Sequence, residues 1–323
     1  MGADRRTLKR ALRWLAIAVI AGFAVQFVRR LDPAQALRVV AGASVGWVLL
    51  AMVVNATVRM GTRVMRTRSL LTALPGTVPL RELVKFVYGA AALGYVVSPI
   101  AGSAARVFAL QQHGVPSESV VAVQLWEKVV SGCALALFAA PMLARDLPAR
   151  AHYALAVATV VGAVGLVVAM VLSEGVRRLT RTVAVPTTPV RRWLFDLGRA
   201  LALLHSARTL AATFLWSVLS ELADVVMLAL ALHAVGAPVD AAACVLAFIV
   251  VNVGSALPST PGQLGVFEAT AAWGLVAAGV ADERALAAGL IYHLVHVVPV
   301  FVLGLPALVR LRAERREAAV SGS

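Results

Sequence analysis

The sequence predicts an all-α, polytopic membrane protein with about six spanning helices and two broken helical hairpins. Three observations support this fold class. First, 60% of the 323 residues are apolar and only 14% are charged, whereas a soluble domain carries about 25% charged residues. Second, apolar runs such as Tyr153–Leu172 reach the roughly 20 residues needed to cross a bilayer. Third, basic residues cluster at the ends of these runs.

Six apolar segments have the length and composition of spanning helices. They are Trp14–Val28, Val39–Val58, Val120–Ala140, Tyr153–Leu172, Thr209–His233 and Arg284–Val309. An even number of crossings places both chain termini on the same side of the membrane. The first segment resembles a signal peptide, but no small-residue cleavage site follows it, so we expect an uncleaved anchor.

Two further apolar regions, Leu83–His113 and Ala241–Val280, are interrupted in the middle by proline and glycine. The first is broken at Ser98–Gly102, and the second at the stretch LPSTPGQLGVFEA (Leu257–Ala269). A broken helix leaves backbone groups unpaired, which is tolerated at membrane depth only where protein or water satisfies them. Each break therefore predicts a cavity or a buried helix junction, where half-helix ends favour binding of an ion or a lipid head group.

The net charge of +14 is distributed in a way that indicates membrane topology and not nucleic-acid binding. Most basic residues flank the apolar spans, as in cytoplasmic loops under the positive-inside rule. They form four blocks: Arg5–Arg13, Arg59–Lys85, Arg177–Arg199 and Arg310–Arg316. All four lie on the cytoplasmic side only if each broken region enters and leaves through one face of the membrane, the first from the cytoplasmic face and the second from the opposite face.

One hairpin from each face is the geometry of an inverted repeat. Two similar segments, Gly114–Ser119 and Gly279–Arg284, follow the two breaks and are consistent with such a repeat. Lys128 lies 14 residues beyond Gly114, and His293 lies 14 residues beyond Gly279. The hairpin-plus-helix units of the two halves are 83–140 and 241–309, within a single domain covering residues 1–323. Between them, residues 173–208 are predicted to form a basic cytoplasmic linker (Ser173–Trp193) and an interfacial helix (Trp193–Arg208).

Ionisable residues occur close to the breaks and inside the neighbouring spans, where each is costly unless it faces a cavity or a partner. The substrate-cavity candidates are Arg106, Glu127, Lys128, Glu221, Asp224, Glu268 and His293. Two interpretations stay open: these side chains line a polar cavity, or they form buried ion pairs that only fix helix packing, for example Arg106 with Glu127. His293 and His296 lack a HExxH-type signature, so neither a metal site nor a cofactor is predicted.

Both breaks resemble the signatures of a known family. LPSTPGQLGVFEA is similar to the proline-proline-glycine, glycine, glutamate motif of the flippase-like membrane domain family, which includes the membrane half of bacterial lysylphosphatidylglycerol synthases. The matching residues are Pro258, Pro261, Gly262, Gly265 and Glu268, and in the first half Pro99, Gly102, Arg106 and Glu127. The chain departs from the family pattern at Ser103, where an acid is common, and at Lys128 and His293, where arginine is common. These departures concern the substrate more than the fold.

The resemblance implies a flippase or lipid transporter in a bacterial-type cell (inner) membrane, with both termini cytoplasmic. The synthases carry a separate aminoacyl-transferase domain, whereas this chain ends at Ser323, so lipid movement and not lipid synthesis is expected. Arg106 and Lys128 are expected to attract a lipid phosphate. The acidic candidates are expected to supply polarity or a proton relay. The expected partners are membrane lipids, anionic or polyprenyl-linked, and no nucleic acid. Aminoacylated phospholipids, polyprenyl-linked glycans and hopanoid-like lipids all stay open as substrates.

Two alternatives to transport stay open. A membrane enzyme acting on a lipid-linked phosphate or sugar needs a general acid or base and usually a metal or phosphate-binding motif. The sequence shows no Asp-rich cluster or nucleophile arrangement, so no enzymatic activity is predicted. The other alternative is an accessory subunit that recruits a synthase or glycosyltransferase partner. The sequence does not predict an oligomeric state.

Overall fold

The computed structural model of the protein describes residues 33–74, 76–144, 149–182, 188–204, 206–255 and 261–321. Within these ranges the chain forms eleven α-helices and no strand, which confirms the predicted fold class. The predicted anchor Trp14–Val28 and the motif residue Pro258 lie outside the described residues.

Four helices of the described chain are long and apolar enough to cross a membrane. They are α2 (Val45–Leu71), α5 (Ser117–Met142), α8 (Ala207–Ala234) and the Asp282–Val309 part of α11 (Asp282–Ser321). The predicted spans in the last three helices lie within these bounds. The predicted span Tyr153–Leu172 lies within α6 (Ala149–Thr182).

The second span differs most from its prediction over Val39–Val58. A short helix, α1 (Pro33–Ala41), precedes it, and α2 then continues to Leu71 through one π-helical turn at Asn55–Arg59. The predicted loop block that begins at Arg59 is therefore partly wrong, because its first four arginines, up to Arg68, lie inside the span. Three of them, Arg59, Arg63 and Arg66, recur at intervals of four and three residues, which places them on one helix face.

The first broken hairpin consists of α3 (Leu80–Val96) and α4 (Pro99–Gln111). The helical geometry is interrupted only at Val97 and Ser98, where the Ser98 hydroxyl accepts a hydrogen bond from the Ala101 N–H at 3.2 Å and caps α4. Gly102 lies inside α4 and not in the turn. A Cβ atom there would lie 2.5 Å from the Ala90 carbonyl oxygen, so this glycine allows the two half-helices to pack closely.

The second broken hairpin consists of α9 (Ala241–Ser255), a 3₁₀ turn at Pro261–Gln263, and α10 (Val266–Ala277). The 15 residues of α9 span roughly 22 Å, which is short of the ~30 Å hydrocarbon core of a bilayer. α10 is shorter still, so neither half-helix crosses the membrane alone. The turn uses the left-handed backbone region at Gly262 (φ 69°) and at Gly265 (φ 84°), where glycine is favoured.

The two hairpins pack against opposite halves of α11. In the C-terminal half of its spanning part, a Cβ atom on Gly304 would lie 2.5 Å from the Tyr88 carbonyl oxygen of α3. In the N-terminal half, a Cβ atom on Gly289 would lie 3.1 Å from the Glu268 carbonyl oxygen of α10. Since this part of α11 is long enough to cross a bilayer, packing against its two opposite halves is the arrangement expected for hairpins that enter from opposite faces.

The tips of the hairpins meet in the middle. A Cβ atom on Gly262, in the turn of the second hairpin, would lie 3.4 Å from the carbonyl oxygen of Tyr95, near the end of α3. The predicted pair of broken hairpins is therefore present, and the breaks that create them lie next to each other.

The turns after the two hairpins have the same hydrogen-bond pattern. Gly114 (φ 76°) and Gly279 (φ 91°) each lie in a Schellman motif that ends α4 and α10 respectively. The following residue donates its N–H to a leucine carbonyl five residues back: Val115 to Leu110, and Val280 to Leu275. A third copy of this turn follows α8 at Gly236. The turn is thus a common helix end, and the opposite placement of the hairpins is the stronger support for a repeat.

Residues 173–208 are more helical than predicted. α6 continues to Thr182, and the amphipathic helix α7 runs over Pro189–Leu203 and not over Trp193–Arg208. Pro189 occupies the first helical turn, where proline needs no N–H partner. α7 is tied to α5 because the Trp193 indole donates to Ser117 Oγ (3.1 Å) and the Trp126 indole donates to the Leu201 carbonyl (3.2 Å).

Candidate functional site

A cavity of about 500 Å³ lies where the hairpin tips meet. Side chains from α2, α4, α5, α8, the second hairpin and α11 line it, together with the end of α3. Nine of the lining residues have ionisable side chains other than tyrosine. They are Arg59, Arg63, Arg66, Arg106, Glu127, Lys128, Glu221, Asp224 and His296. Five of the seven sequence-predicted cavity candidates are in this set.

Arg106 and Glu127 form a bidentate ion pair at one side of the cavity. Arg106 Nη1 donates to Glu127 Oε2 at 2.7 Å, and Nη2 donates to Oε1 at 3.0 Å. Thr67 of α2 donates its hydroxyl to the same carboxylate at 2.5 Å. The predicted pairing is therefore present, and it joins α2, α4 and α5. Because Glu127 neutralises it, Arg106 is not the free phosphate-attracting cation that the sequence suggested.

Within the described residues, the side-chain hydrogen bonds of Arg66 go to neutral partners. Its Nη1 atom donates to Ser131 Oγ on α5 at 2.7 Å and to Ser217 Oγ on α8 at 3.2 Å. The hydroxyls hold the guanidinium in place without cancelling its charge.

A second ion pair lies deeper, between α2, α8 and α11. Arg59 Nε lies 2.6 Å from Asp224 Oδ1, and His296 Nε2 lies 2.7 Å from the same oxygen. The other ring nitrogen of His296 faces the carbonyl oxygen of Tyr292 at 2.8 Å. Asn55 donates to the carbonyl oxygens of Val295 (2.7 Å) and His296 (3.1 Å), so the π-helical turn of α2 is fixed to the centre of α11.

Two cations of the cavity have neither a hydrogen bond nor an ion pair in the described part of the chain. The Nε atom of Arg63 is fully buried and unpaired. Lys128 is exposed, and it lines the cavity. Both are electrostatic neighbours of Arg66. Glu221 also lines the cavity and is the nearby carboxylate that acts on Arg63 together with Asp224.

The second hairpin contributes an uncharged polar surface to the cavity. Asn252 and Ser255 at the end of α9 and Gln263 in the turn all line the cavity. Ser255 donates its hydroxyl to Gln263 Oε1 at 2.9 Å. The cavity thus has a cationic side built by α2 and α5 and a neutral hydrogen-bonding side built by the second hairpin.

Of the seven predicted cavity candidates, Glu268 and His293 do not belong to the lining of this cavity. Glu268 Oε2 accepts the N–H of Gly265 at 2.8 Å, which is the carboxylate half of a capping box at the start of α10. Glu268 Oε1 lies 2.8 Å from His293 Nδ1, and the His293 ring stacks on Phe267 with a centroid distance of 4.6 Å. Both carboxylate oxygens are used by local contacts, so the side chain holds the hairpin tip instead of entering the cavity.

The helix-break residues have separate roles. Pro99, Gly102 and Gly262 line the cavity. Pro261 begins the 3₁₀ turn, and Gly265 is the N-cap of α10. Across the residues that the structure describes, no three His, Cys, Asp or Glu side chains are grouped as ligands for a metal ion.

The sequence interpretation missed Arg59, Arg63 and Arg66 as cavity residues. Their basic character and their position after an apolar run matched the pattern of a cytoplasmic loop. The signal that identifies them is their helical spacing, together with Thr62 and Thr67 on the same stretch. A 3.6-residue period is typical of a helix and is not expected in a loop.

The fold and the cavity define the class of protein: an integral, multi-pass helical membrane protein with a charged cavity between two broken hairpins. The family described as the lysylphosphatidylglycerol synthase TM region matches residues 13–304 of this chain, which is most of its length. The chain therefore belongs to this family, as the sequence motifs predicted. Among proteins with curated descriptions, none matches this chain.

Proposed function

We propose that the protein is a lipid transporter that moves a polar-headed lipid between the two leaflets of the cell membrane. The observation that carries this proposal is the charged cavity where the tips of two broken hairpins meet, inside a bundle whose outer surface is apolar. Such a cavity lowers the cost of bringing a head group to the depth of the hydrocarbon, while the acyl chains stay in lipid.

Three features of the site support transport over a purely structural role. Buried ion pairs that only fix packing need no open space beside them, yet about 500 Å³ of space adjoins these pairs. Arg63 and Lys128 have no partner in the described ranges, which leaves charge available for a ligand. The hairpin tips touch through glycine, and small residues with no side chain to repack suit a contact that opens and closes.

The proposal includes a location and an orientation. The protein resides in a bacterial-type cell membrane, and both termini and the Ser173–Trp193 segment lie on the cytoplasmic side. The support for the orientation is the positive-inside rule applied to the basic blocks that remain outside the spans.

The test is a transport assay with purified protein in liposomes that contain fluorescent phospholipids, where dithionite destroys the fluorescence of the outer leaflet only. We expect the protein to raise the bleached fraction above the protein-free half for at least one head group. Arg106→Ala should abolish this increase because it leaves Glu127 buried and unpaired at the cavity wall.

The matched control is Arg68→Ala. Arg68 lies on α2 just beyond the cavity arginines, is exposed and does not line the cavity. This variant should transport as the unchanged protein does. If no lipid in a panel of anionic, zwitterionic and cationic head groups is moved by folded protein, the transport proposal is wrong.

A further inference from the structure

The charges of the cavity do not balance. Among the residues that the structure describes, five cationic side chains line it, against three carboxylates: Arg59, Arg63, Arg66, Arg106 and Lys128 against Glu127, Glu221 and Asp224. The imidazole of His296 is either neutral or cationic, so it does not reduce the surplus. The surplus is therefore at least two positive charges.

The surplus is localised. Arg59 and Arg106 are each paired with a carboxylate. Within the described ranges, Arg63, Arg66 and Lys128 form no ion pair with a carboxylate, and they lie close enough to act on one another electrostatically. The Nε atom of Arg63 is fully buried and has no hydrogen-bond acceptor within the described chain. We call these three residues the cation cluster.

Like charges held together at membrane depth repel one another and have lost much of their hydration. A bound anion relieves both costs, because it attracts all three cations and accepts their hydrogen bonds. A guanidinium group matches phosphate in geometry and in charge, and an ammonium group binds phosphate as a point charge. A cationic head group would instead add to the repulsion. The carboxylates Glu127 and Asp224 are already engaged by arginines. The third carboxylate, Glu221, acts on Arg63 and Arg66 and offsets one charge of the cation cluster, which leaves the surplus of two.

We infer that the cavity selects lipids whose head group carries a net negative charge on a phosphate, held by Arg63, Arg66 and Lys128, and that it rejects head groups with a net positive charge. The inference rests on the proposed function in one respect, namely that the bound lipid is the lipid transported. It reduces the number of substrate classes that the sequence left open. Lysyl-phosphatidylglycerol, whose two ammonium groups outweigh its single phosphate charge, is excluded. Asn252, Ser255 and Gln263 of the second hairpin also line the cavity, and they suit an uncharged, hydroxyl-bearing remainder of the head group.

The test measures binding, so that it does not depend on transport. Purified full-length protein in a non-ionic detergent is titrated with short-chain lipids of equal chain length, and the apparent Kd is taken from the rise in Tm. The lipids are dihexanoyl phosphatidic acid, phosphatidylglycerol, phosphatidylcholine and lysyl-phosphatidylglycerol. Glycerol 3-phosphate tests whether the phosphate alone is recognised, and sodium chloride at equal ionic strength controls for screening.

We expect phosphatidic acid and phosphatidylglycerol to bind at least about tenfold more tightly than lysyl-phosphatidylglycerol. Lys128→Gln and Arg63→Gln should each weaken phosphatidic acid about tenfold, the loss expected for one charge-assisted hydrogen bond. Arg68→Gln on the same helix as Arg63 should bind as the unchanged protein does. Lys128 is exposed and unpaired, so its variant provides the test if Arg63→Gln does not fold.

Binding of glycerol 3-phosphate with the same dependence on the cation cluster would support a phosphate site that also accepts soluble anions. Equal or tighter binding of lysyl-phosphatidylglycerol would overturn the inference, and so would unchanged phosphatidic acid binding in Lys128→Gln. The outcome is distinct from that of the transport proposal. Anion-selective binding without lipid movement contradicts only the transport proposal, whereas transport of a cationic lipid in preference to an anionic one contradicts only this inference.

Discussion

Replacing Glu127 by Gln tests whether the ion pairs at the cavity wall stabilise the bundle. The Glu127 carboxylate is 6% exposed and accepts two hydrogen bonds from Arg106 and one from Thr67. An amide of the same shape keeps one acceptor oxygen and turns an NH₂ group toward guanidinium donors. Leaving one member of a buried pair unpaired costs about 3–5 kcal/mol. The Arg106 side chain is 17% exposed to the cavity, and this partial solvation reduces the expected loss in unfolding free energy to roughly 2–3 kcal/mol.

The assay is reversible unfolding of the purified protein by SDS in mixed micelles, followed by tryptophan fluorescence, with linear extrapolation of the unfolding free energy. The matched control is Lys128→Gln, one residue further along α5, because Lys128 has no ion pair within the described residues. It should leave the unfolding free energy unchanged or raise it, because it breaks no ion pair and removes one of three like charges. The double variant Arg106→Gln with Glu127→Gln should recover most of the loss, since neither charge is then left alone. If Glu127→Gln is as stable as Lys128→Gln, the pair does not stabilise the bundle and the reasoning is refuted.

Three further predictions follow from the hairpin tips and the basic blocks. Gly262→Ala should lower the unfolding free energy by about 1–2 kcal/mol, because φ at this residue is 69°. Gly262→Asn should lower it by less, since asparagine tolerates the left-handed region better than alanine. Equal losses would show that backbone strain is not the cause. Glu268→Gln should cost about 1 kcal/mol through the capping box and the His293 contact but leave transport per folded molecule unchanged, and loss of transport by stable protein would return Glu268 to the mechanism. Cysteines introduced at Ser173 and Ser321 should be labelled from the cytoplasmic side only, and labelling from outside would show that the threading is wrong.

The broken hairpins and most spans were predictable from the sequence because the relevant signals are local. Pro99 and the stretch that contains Pro261 and Gly262 interrupt apolar runs, and neither signal depends on distant residues. The pairing of Arg106 with Glu127 was also within reach, since both belong to one hairpin-plus-helix unit and both are costly in lipid.

The cationic side of the cavity could not be predicted in the same way. Arg59 lies beside Asp224, and Arg66 beside Ser217, at separations of more than 150 residues in the sequence. A single sequence does not show which distant residues are in contact. The arginines of α2 were therefore assigned by their resemblance to a basic cytoplasmic loop. For Glu268 the position at the start of α10 was predicted correctly, but its contact was not. One carboxylate oxygen accepts the N–H of Gly265 in a local capping bond, which the sequence interpretation did not include.

The charge surplus of the cavity arises in part from a difference between the two halves of the chain. Ser103 precedes Gly114 by the same number of residues as Glu268 precedes Gly279, and Lys128 and His293 follow at equal distances. In the second half this pair of positions holds a carboxylate and a histidine 2.8 Å apart, outside the cavity. In the first half the carboxylate position holds Ser103, which lines the cavity, and Lys128 has no ion pair in the part of the chain that the structure describes.

Ser103→Glu should therefore convert the first half to the arrangement of the second. A carboxylate at this position is expected to pair with Lys128 and to reduce the surplus of the cavity by one charge. We expect phosphatidic acid to bind about tenfold more weakly to this variant, while lysyl-phosphatidylglycerol gains affinity by a similar factor, both measured by the Tm titration. Ser103→Gln, which has the same shape but no charge, separates the electrostatic effect from crowding of the cavity. Equal weakening of phosphatidic acid by the Glu and Gln variants would mean that volume, and not the unpaired charge of Lys128, determines which lipid the cavity accepts.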